Sequence, residues 1–225
     1  MIQYRFVLES WQVFQFEVNR QRVFDRTVDF AEHAPWARLT FNQCERCPLT
    51  EAHCRHCPVA LDVEQIANRF QDVLSYERVQ VEVHTPERTY IKLCDVQTGL
   101  RSLLGLVMAT SACPVLSQLK GMASTHLPFA TLEETLFRTA GAYLLKQYFV
   151  HKAGGQPDLD LRGLDALYKE LYAVNRSFKA RLDSACSKDS NLNAIGSLLY
   201  VSIGVTSSLE DNLKELQGML FPGMK

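Results

Sequence analysis

Residues 79–108 read VQVEVHTPERTYIKLCDVQTGLRSLLGLVM, and the fold class turns on them. Val79, Val81 and Val83 alternate with Gln80, Glu82 and His84, the period of a half-buried strand. Thr85-Pro86-Glu87-Arg88 is a turn, and Tyr90 to Cys94 can return as the antiparallel partner. Near Gly99 the period changes. Leu100, Leu103, Leu104, Val107, Met108 and Ser111 fall on one helical stripe. This switch predicts an α+β protein. Residues 1–96 form an α+β region with a small antiparallel sheet and a metal-binding cysteine loop. Residues 97–225 form a helical bundle. No repeat or low-complexity linker separates the two, so a single shared core is open to them.

Toward the N-terminus, Tyr4, Phe6 and Leu8 alternate with polar neighbours, and Phe14, Phe16 and Val18 do the same. Two strands and a hairpin turning near Ser10 follow. Residues 20–36 show no clear period. Ala37, Leu39 and Phe41 alternate again and are expected to form a strand leading into Cys44. After Pro58, Val63, Ile66, Phe70 and Val73 recur at helical spacing, with a helix expected to about Leu74.

Toward the C-terminus, Cys113-Pro114 interrupts the first bundle helix, and a short helix through Leu119 and Met122 follows. Thr131-Leu132-Glu133-Glu134 is a capping box. It opens a helix to about Lys152, stopped by Gly154-Gly155. The next helix, about Leu161 to Ala185, carries Leu164, Tyr168, Leu171, Asn175, Phe178 and Leu182 on one face. Ser190 to Leu209 has no charged residue. It holds too many Asn, Ser and Thr residues for a lipid-facing span, so a buried central helix is expected. The last stripe, Leu209, Leu213, Leu216 and Leu220, should bury against the other helices or against a second copy in a homodimer. Ser207 with Glu210 can cap that helix.

Within this frame sits Cys44-Glu45-Arg46-Cys47-Pro48, followed by His53-Cys54-Arg55-His56-Cys57-Pro58. Four of the seven cysteines fall inside fourteen residues, as two Cys-x-x-Cys pairs. Two such pairs can close a tetrahedron of thiolates around one ion, and four protein ligands make a structural site. Zinc on Cys44, Cys47, Cys54 and Cys57 is the leading expectation. Iron or an iron–sulfur cluster uses similar ligands, and His53 or His56 can replace a cysteine. Redox dithiols are a further alternative. Pro58 places Cys57 at a helix N-terminus, where the dipole favours a thiolate. Arg46, Arg55 and that helix end are the groups expected to offset the site's negative charge.

Composition narrows the partners. Hydrophobic residues make up 47%, enough for a sizeable core. The 24 basic and 25 acidic residues leave a net charge of −1, so no electrostatic grip on nucleic acid is expected. No membrane segment or signal peptide is visible. The clustered, odd-numbered cysteines fit a reducing cytoplasm. His126, between two helices, can reach Glu133 or Glu134 with Arg138 one turn on, a setting for acid–base chemistry. Cys113 can be a reactive thiol at a helix start. The plainer reading makes it, with Cys94 and Cys186, a buried structural cysteine. Asn175, Asn191 and Asn193 can line a polar pocket in the bundle, or simply bond internally. Phosphate-loop and hydrolase motifs are missing from the sequence. The expected function is a non-catalytic regulatory or adaptor module that binds a protein partner or a small ligand. The alternative is a redox or iron sensor, or an enzyme using the cysteines or His126.

Overall fold

A computed structural model describes residues 1–184, 188–206 and 209–221. Four antiparallel strands form one sheet in the order β2-β1-β3-β4. β1 (Ile2–Leu8) and β2 (Val13–Val18) make the first hairpin, β3 (Arg78–His84) and β4 (Thr89–Asp95) the second. β1 pairs with β3 in the middle, with Phe6 opposite Val81. The period-two residues do what their spacing requires. Tyr4, Phe6, Phe14, Phe16, Val79, Val81 and Val83 are buried on one face, while Ile91 and Leu93 of edge strand β4 are exposed on the other.

A short helix α1 (Arg26–Asp29) and helix α2 (Pro58–Phe70) lie between the hairpins. The helical half comprises α3 (Val96–Thr110), α4 (Lys120–Ser124), α5 (Leu132–Lys152), α6 (Arg162–Asp183), α7 (Ser190–Thr206) and α8 (Leu209–Leu220). Asp95 caps α3 by accepting from the Thr98 N–H. The capping box at Thr131 opens α5, with both of its hydrogen bonds formed. Gly154, at φ 81°, follows its end.

Both halves contribute to one contiguous buried cluster. α3 lies directly on the sheet at Gly99. A Cβ there would come within 2.7 Å of Phe6 and 2.8 Å of Val81, so only glycine permits that approach. Uncharged α7 packs between α3 and α6. Its hydroxyls are satisfied inside the helix, Ser197, Ser202 and Thr206 each bonding back to the carbonyl four residues earlier. At its start, Ser190 and Asn191 donate to the Phe70 and Ala67 carbonyls, satisfying the open C-terminal end of α2. Among the described residues, no helix is long and apolar enough to cross a membrane.

One expectation fails and another is met in part. The alternation at Ala37, Leu39 and Phe41 is not a strand. Pro35–Ala37 is a 3₁₀ turn, and only an isolated bridge joins Arg38 to His56. Three alternating residues are too few to outweigh Pro35 and the left-handed Asn42, at φ 43°. The last leucine stripe is also only partly buried. Leu216 is buried and Leu213 packs against the core, but Leu220 is 58% exposed. The Leu209 side chain, the Ser207 cap, Ala185 and Cys186 lie outside the described residues.

Candidate functional site

The cysteine loop is a compact turn held against α2 and α6. The Cys47 N–H donates to the Cys44 carbonyl at 2.9 Å, the tight turn a Cys-x-x-Cys pair needs. Cys57 is the N-cap of α2, with Pro58 opening the helix as its position predicts. Its thiol makes no close capping hydrogen bond. Burial raises it, and Arg181 with the Ala60 and Val59 N–H groups opposes the rise. Cys44 is pushed up to about 11, by burial first and then by Cys57, Cys47 and Cys113. Cys54 is also pushed up to about 11, by burial and then by the Asp29 carboxylate, Cys57 and Cys47.

The loop's four thiols thus lie within one another's electrostatic reach, and a fifth joins them. Cys113, from the connection between α3 and α4, is raised by burial, held back by the Leu116 and Val115 N–H groups, and raised further by Cys57 and Cys47. The sequence held one signal for it: Cys113-Pro114 repeats the Cys57-Pro58 pattern. Thiols are the donor type that zinc and iron take. Among the described residues, however, no three His, Cys, Asp or Glu side chains converge at single-ion spacing.

The loop's histidines have other tasks. His53 Nδ1 accepts from the Thr50 N–H at 3.0 Å within its own turn. Buried His56 bonds through Nδ1 to the Asp29 carbonyl at 2.9 Å. Asp29 itself accepts from the Arg55 and His56 N–H groups. Of the expected compensating groups, the start of α2 acts on Cys57 through the Ala60 and Val59 N–H groups, whereas Arg55 is placed elsewhere. Arg55 stacks 4.3 Å above the Phe30 ring. The guanidinium nearest the thiols belongs to Arg181 of α6, which is 2% exposed. It donates to the Trp36, Arg38 and Leu39 carbonyls and so fixes the segment entering the loop. Burial lowers Arg181, and Cys57, Cys44 and Cys47 oppose that. An arginine three residues beyond Phe178, on the apolar stripe, was its only sequence signal.

The second feature is a half-open cavity of about 180 Å³ lined by α3, α4, α5, α6 and α7. Leu106, Met108, Leu171 and Leu198 give it an apolar wall, and Asn175 gives a polar one. Asn175 is 6% exposed. Its Nδ2 donates to Ser202 Oγ at 3.2 Å. The Ser202 hydroxyl spends its proton on the Leu198 carbonyl, so it can only accept from Asn175. That fixes the amide orientation and leaves Asn175 Oδ1 buried without a hydrogen-bond partner. Neither Asn191 nor Asn193 lines this cavity. Asn191 bonds the end of α2, and Asn193 donates to Asp189.

His126 stands between this cavity and an open cleft on the far side. Its expected acidic partners are engaged elsewhere: Glu134 completes the capping box, and His126 Nε2 meets Tyr4 Oη at 2.6 Å. Tyr4 in turn lies 2.8 Å from Ser102 Oγ, which accepts from the Phe129 N–H. The polarity that gives every proton an acceptor runs from Ser102 to Tyr4 to His126. Nε2 is then the acceptor and Nδ1 carries the proton. Burial, then the Arg138 charge, pushes His126 down to about 3, so it is neutral near pH 7. Arg138 donates to the Met122 and Thr125 carbonyls and makes no ion pair among the described residues.

A model of the family described as Domain of unknown function (DUF6901) matches residues 2–221. No curated protein and no solved structure matches the chain.

Proposed function

We propose that this chain, which belongs to that family, is a non-catalytic regulatory module that binds a small ligand inside its helical half. One observation carries the reading: Asn175, in the lining of a mostly apolar cavity, has a buried side-chain oxygen, Oδ1, with no hydrogen-bond partner among the described residues. Such a group costs stability unless a ligand or water completes it. A convergent polar group in an apolar pocket is the usual form of a small-molecule site. The test is a thermal-shift and calorimetric screen of ring-sized fragments against wild type and Gly105→Leu. Gly105 lines the cavity, and a Cβ there meets only Leu198, at 3.5 Å. Leucine therefore fills the space on a helix it favours. Binding to wild type and loss in Gly105→Leu support the reading. A complete lack of binding to wild type overturns it.

In this reading the cysteine loop is a brace. Zinc on Cys44, Cys47, Cys54 and Cys57 would tie the loop to the start of α2, and Cys113 is the competing fourth ligand from the bundle. The redox or iron alternative draws on the same gathering of five thiols, which do not meet at single-ion spacing. Visible absorption separates the two, since zinc is colourless and iron–thiolate centres are not. A protein-binding role is supported by α5, where Phe137, Leu145, Tyr148 and Phe149 are each about half exposed or more. Light scattering on wild type and Phe149→Glu reports whether that face joins a second copy. Cytoplasmic residence and the lack of nucleic-acid binding remain part of the same proposal.

A further inference from the structure

The cavity and the adjoining cleft share His126, Leu127 and Arg138 along their common wall. The two sides differ in character. The cavity is mostly apolar, and its lining includes Asn175, whose buried Oδ1 has no hydrogen-bond partner among the described residues. The cleft, about 400 Å³, carries Arg20, Arg88 and Arg138 against one carboxylate, Glu87. Glu87 lies 4.0 Å from Arg20, whose own hydrogen bond goes to the Ser124 carbonyl. Arg138 donates to backbone carbonyls and forms no ion pair among the described residues, with the Glu134 carboxylate acting on it only from a distance. Between the two, the Nδ1–H of His126 is left to donate, since Nε2 is taken by Tyr4.

Resting on the small-ligand reading above, we infer that cavity and cleft form one site for a small amphipathic carboxylic acid. A hydrogen-bond donor at its far end reaches Asn175 Oδ1. Its apolar body lies among Leu106, Leu171 and Leu198. Its carboxylate meets Arg138 and the His126 Nδ1–H at the threshold. Size limits the body. A dry apolar cavity of about 150 Å³ accommodates benzene, so about 180 Å³ admits one ring or a chain of similar bulk. Each polar contact matches a specific chemical need. The acceptor in the wall needs a hydroxyl or N–H, and the unpaired guanidinium needs an anion, for which a carboxylate gives the strongest hydrogen bonds.

The probes are 4-hydroxyphenylacetate, phenylacetate and 4-methylphenol, measured by calorimetry at fixed salt. 4-Hydroxyphenylacetate is expected to bind best. 4-Methylphenol, lacking the carboxylate, should bind about tenfold or more weaker, and phenylacetate, lacking the donor, weaker by a similar factor. Arg138→Gln should erase the advantage of 4-hydroxyphenylacetate over 4-methylphenol. Asn175→Leu should erase the advantage of the hydroxyl. These two losses must be selective, so a variant that merely loosens the fold, weakening all three probes together, contradicts the assignment. If 4-methylphenol binds wild type as well as 4-hydroxyphenylacetate does, the carboxylate assignment is wrong while the cavity reading stands. If no probe and no fragment binds, both fall together.

Discussion

Replacing Asn175 by leucine should make the protein more stable and blind to the hydroxyl of its ligand. Asn175 contributes one hydrogen bond, Nδ2 to Ser202 Oγ at 3.2 Å, near the long end of good geometry. Losing it costs about 0.5–1.5 kcal/mol. Ser202 is little harmed, because its proton is already placed on the Leu198 carbonyl. Against this loss stands Oδ1, buried and unpaired, which costs about 1–3 kcal/mol. Leucine has the same branched shape with bulkier methyl groups, for which the adjoining cavity leaves room; it occupies a site only 6% exposed and adds apolar burial beside Leu171 and Leu198. The balance favours the variant by about 1–2 kcal/mol. At about 2–4 °C per kcal/mol for a chain of this length, Tm should rise roughly 2–8 °C. Urea unfolding followed by circular dichroism, with an unchanged slope, gives the free energy directly. A loss of about 1 kcal/mol or more would refute the reasoning, because it would mean that Oδ1 holds a full hydrogen bond in the folded protein.

Four further outcomes follow. Because His126 is held down to about 3 in the folded state against about 6.5 unfolded, the unfolded chain binds the extra proton between those values. Stability should therefore fall on acidification from about pH 6.5 toward 3, by up to ~1.4 kcal/mol per pH unit from this group, and His126→Gln should flatten that part of the profile in chemical denaturation. Arg181→Met orphans the Trp36 and Leu39 carbonyls, while the Arg38 carbonyl keeps the Phe41 N–H, and should cost about 2 kcal/mol or more; a loss below about 1 kcal/mol would mean the segment re-forms its bonds without the guanidinium. Gly99→Ala drives a methyl into Phe6 and Val81, so the helix-propensity gain of about 1 kcal/mol should be outweighed by overpacking of about 1–3 kcal/mol, read as a lower Tm. Elemental analysis of chelator-free protein should find about one zinc per chain, lost in Cys57→Ser and released as acid protonates the thiolates. Comparing Cys54→Ser with Cys113→Ser identifies the fourth ligand, and four titratable thiols with no metal would remove the brace.

Residues close in sequence determined most of the fold. The alternation at 3–8, 14–18 and 79–83 gave strands, because a side-chain period of two suits only a sheet with one buried face. Thr131 and Glu134 gave a helix start because both partners of a capping box lie within one turn. The doubled Cys-x-x-Cys was legible for the same reason, as was Cys57 at the mouth of α2.

Tertiary structure alone decided what brings distant residues together. Ala37 to Phe41 alternates like a strand, yet no neighbouring strand offers it a ladder, and Arg181 takes its carbonyls from 140 residues away. Cys113 joins the thiols because the α3–α4 connection passes the loop, a relation no local spacing encodes. Tyr4 claims His126 across 122 residues, displacing the glutamates that sequence proximity suggested. Asn175 was visible on its apolar stripe, but its unpaired Oδ1 depends on Ser202 having only one proton to give. Local sequence sets backbone shape through sterics and capping. Hydrogen-bond satisfaction and electrostatic neighbours are set by packing, and the candidate sites of this protein are built from those.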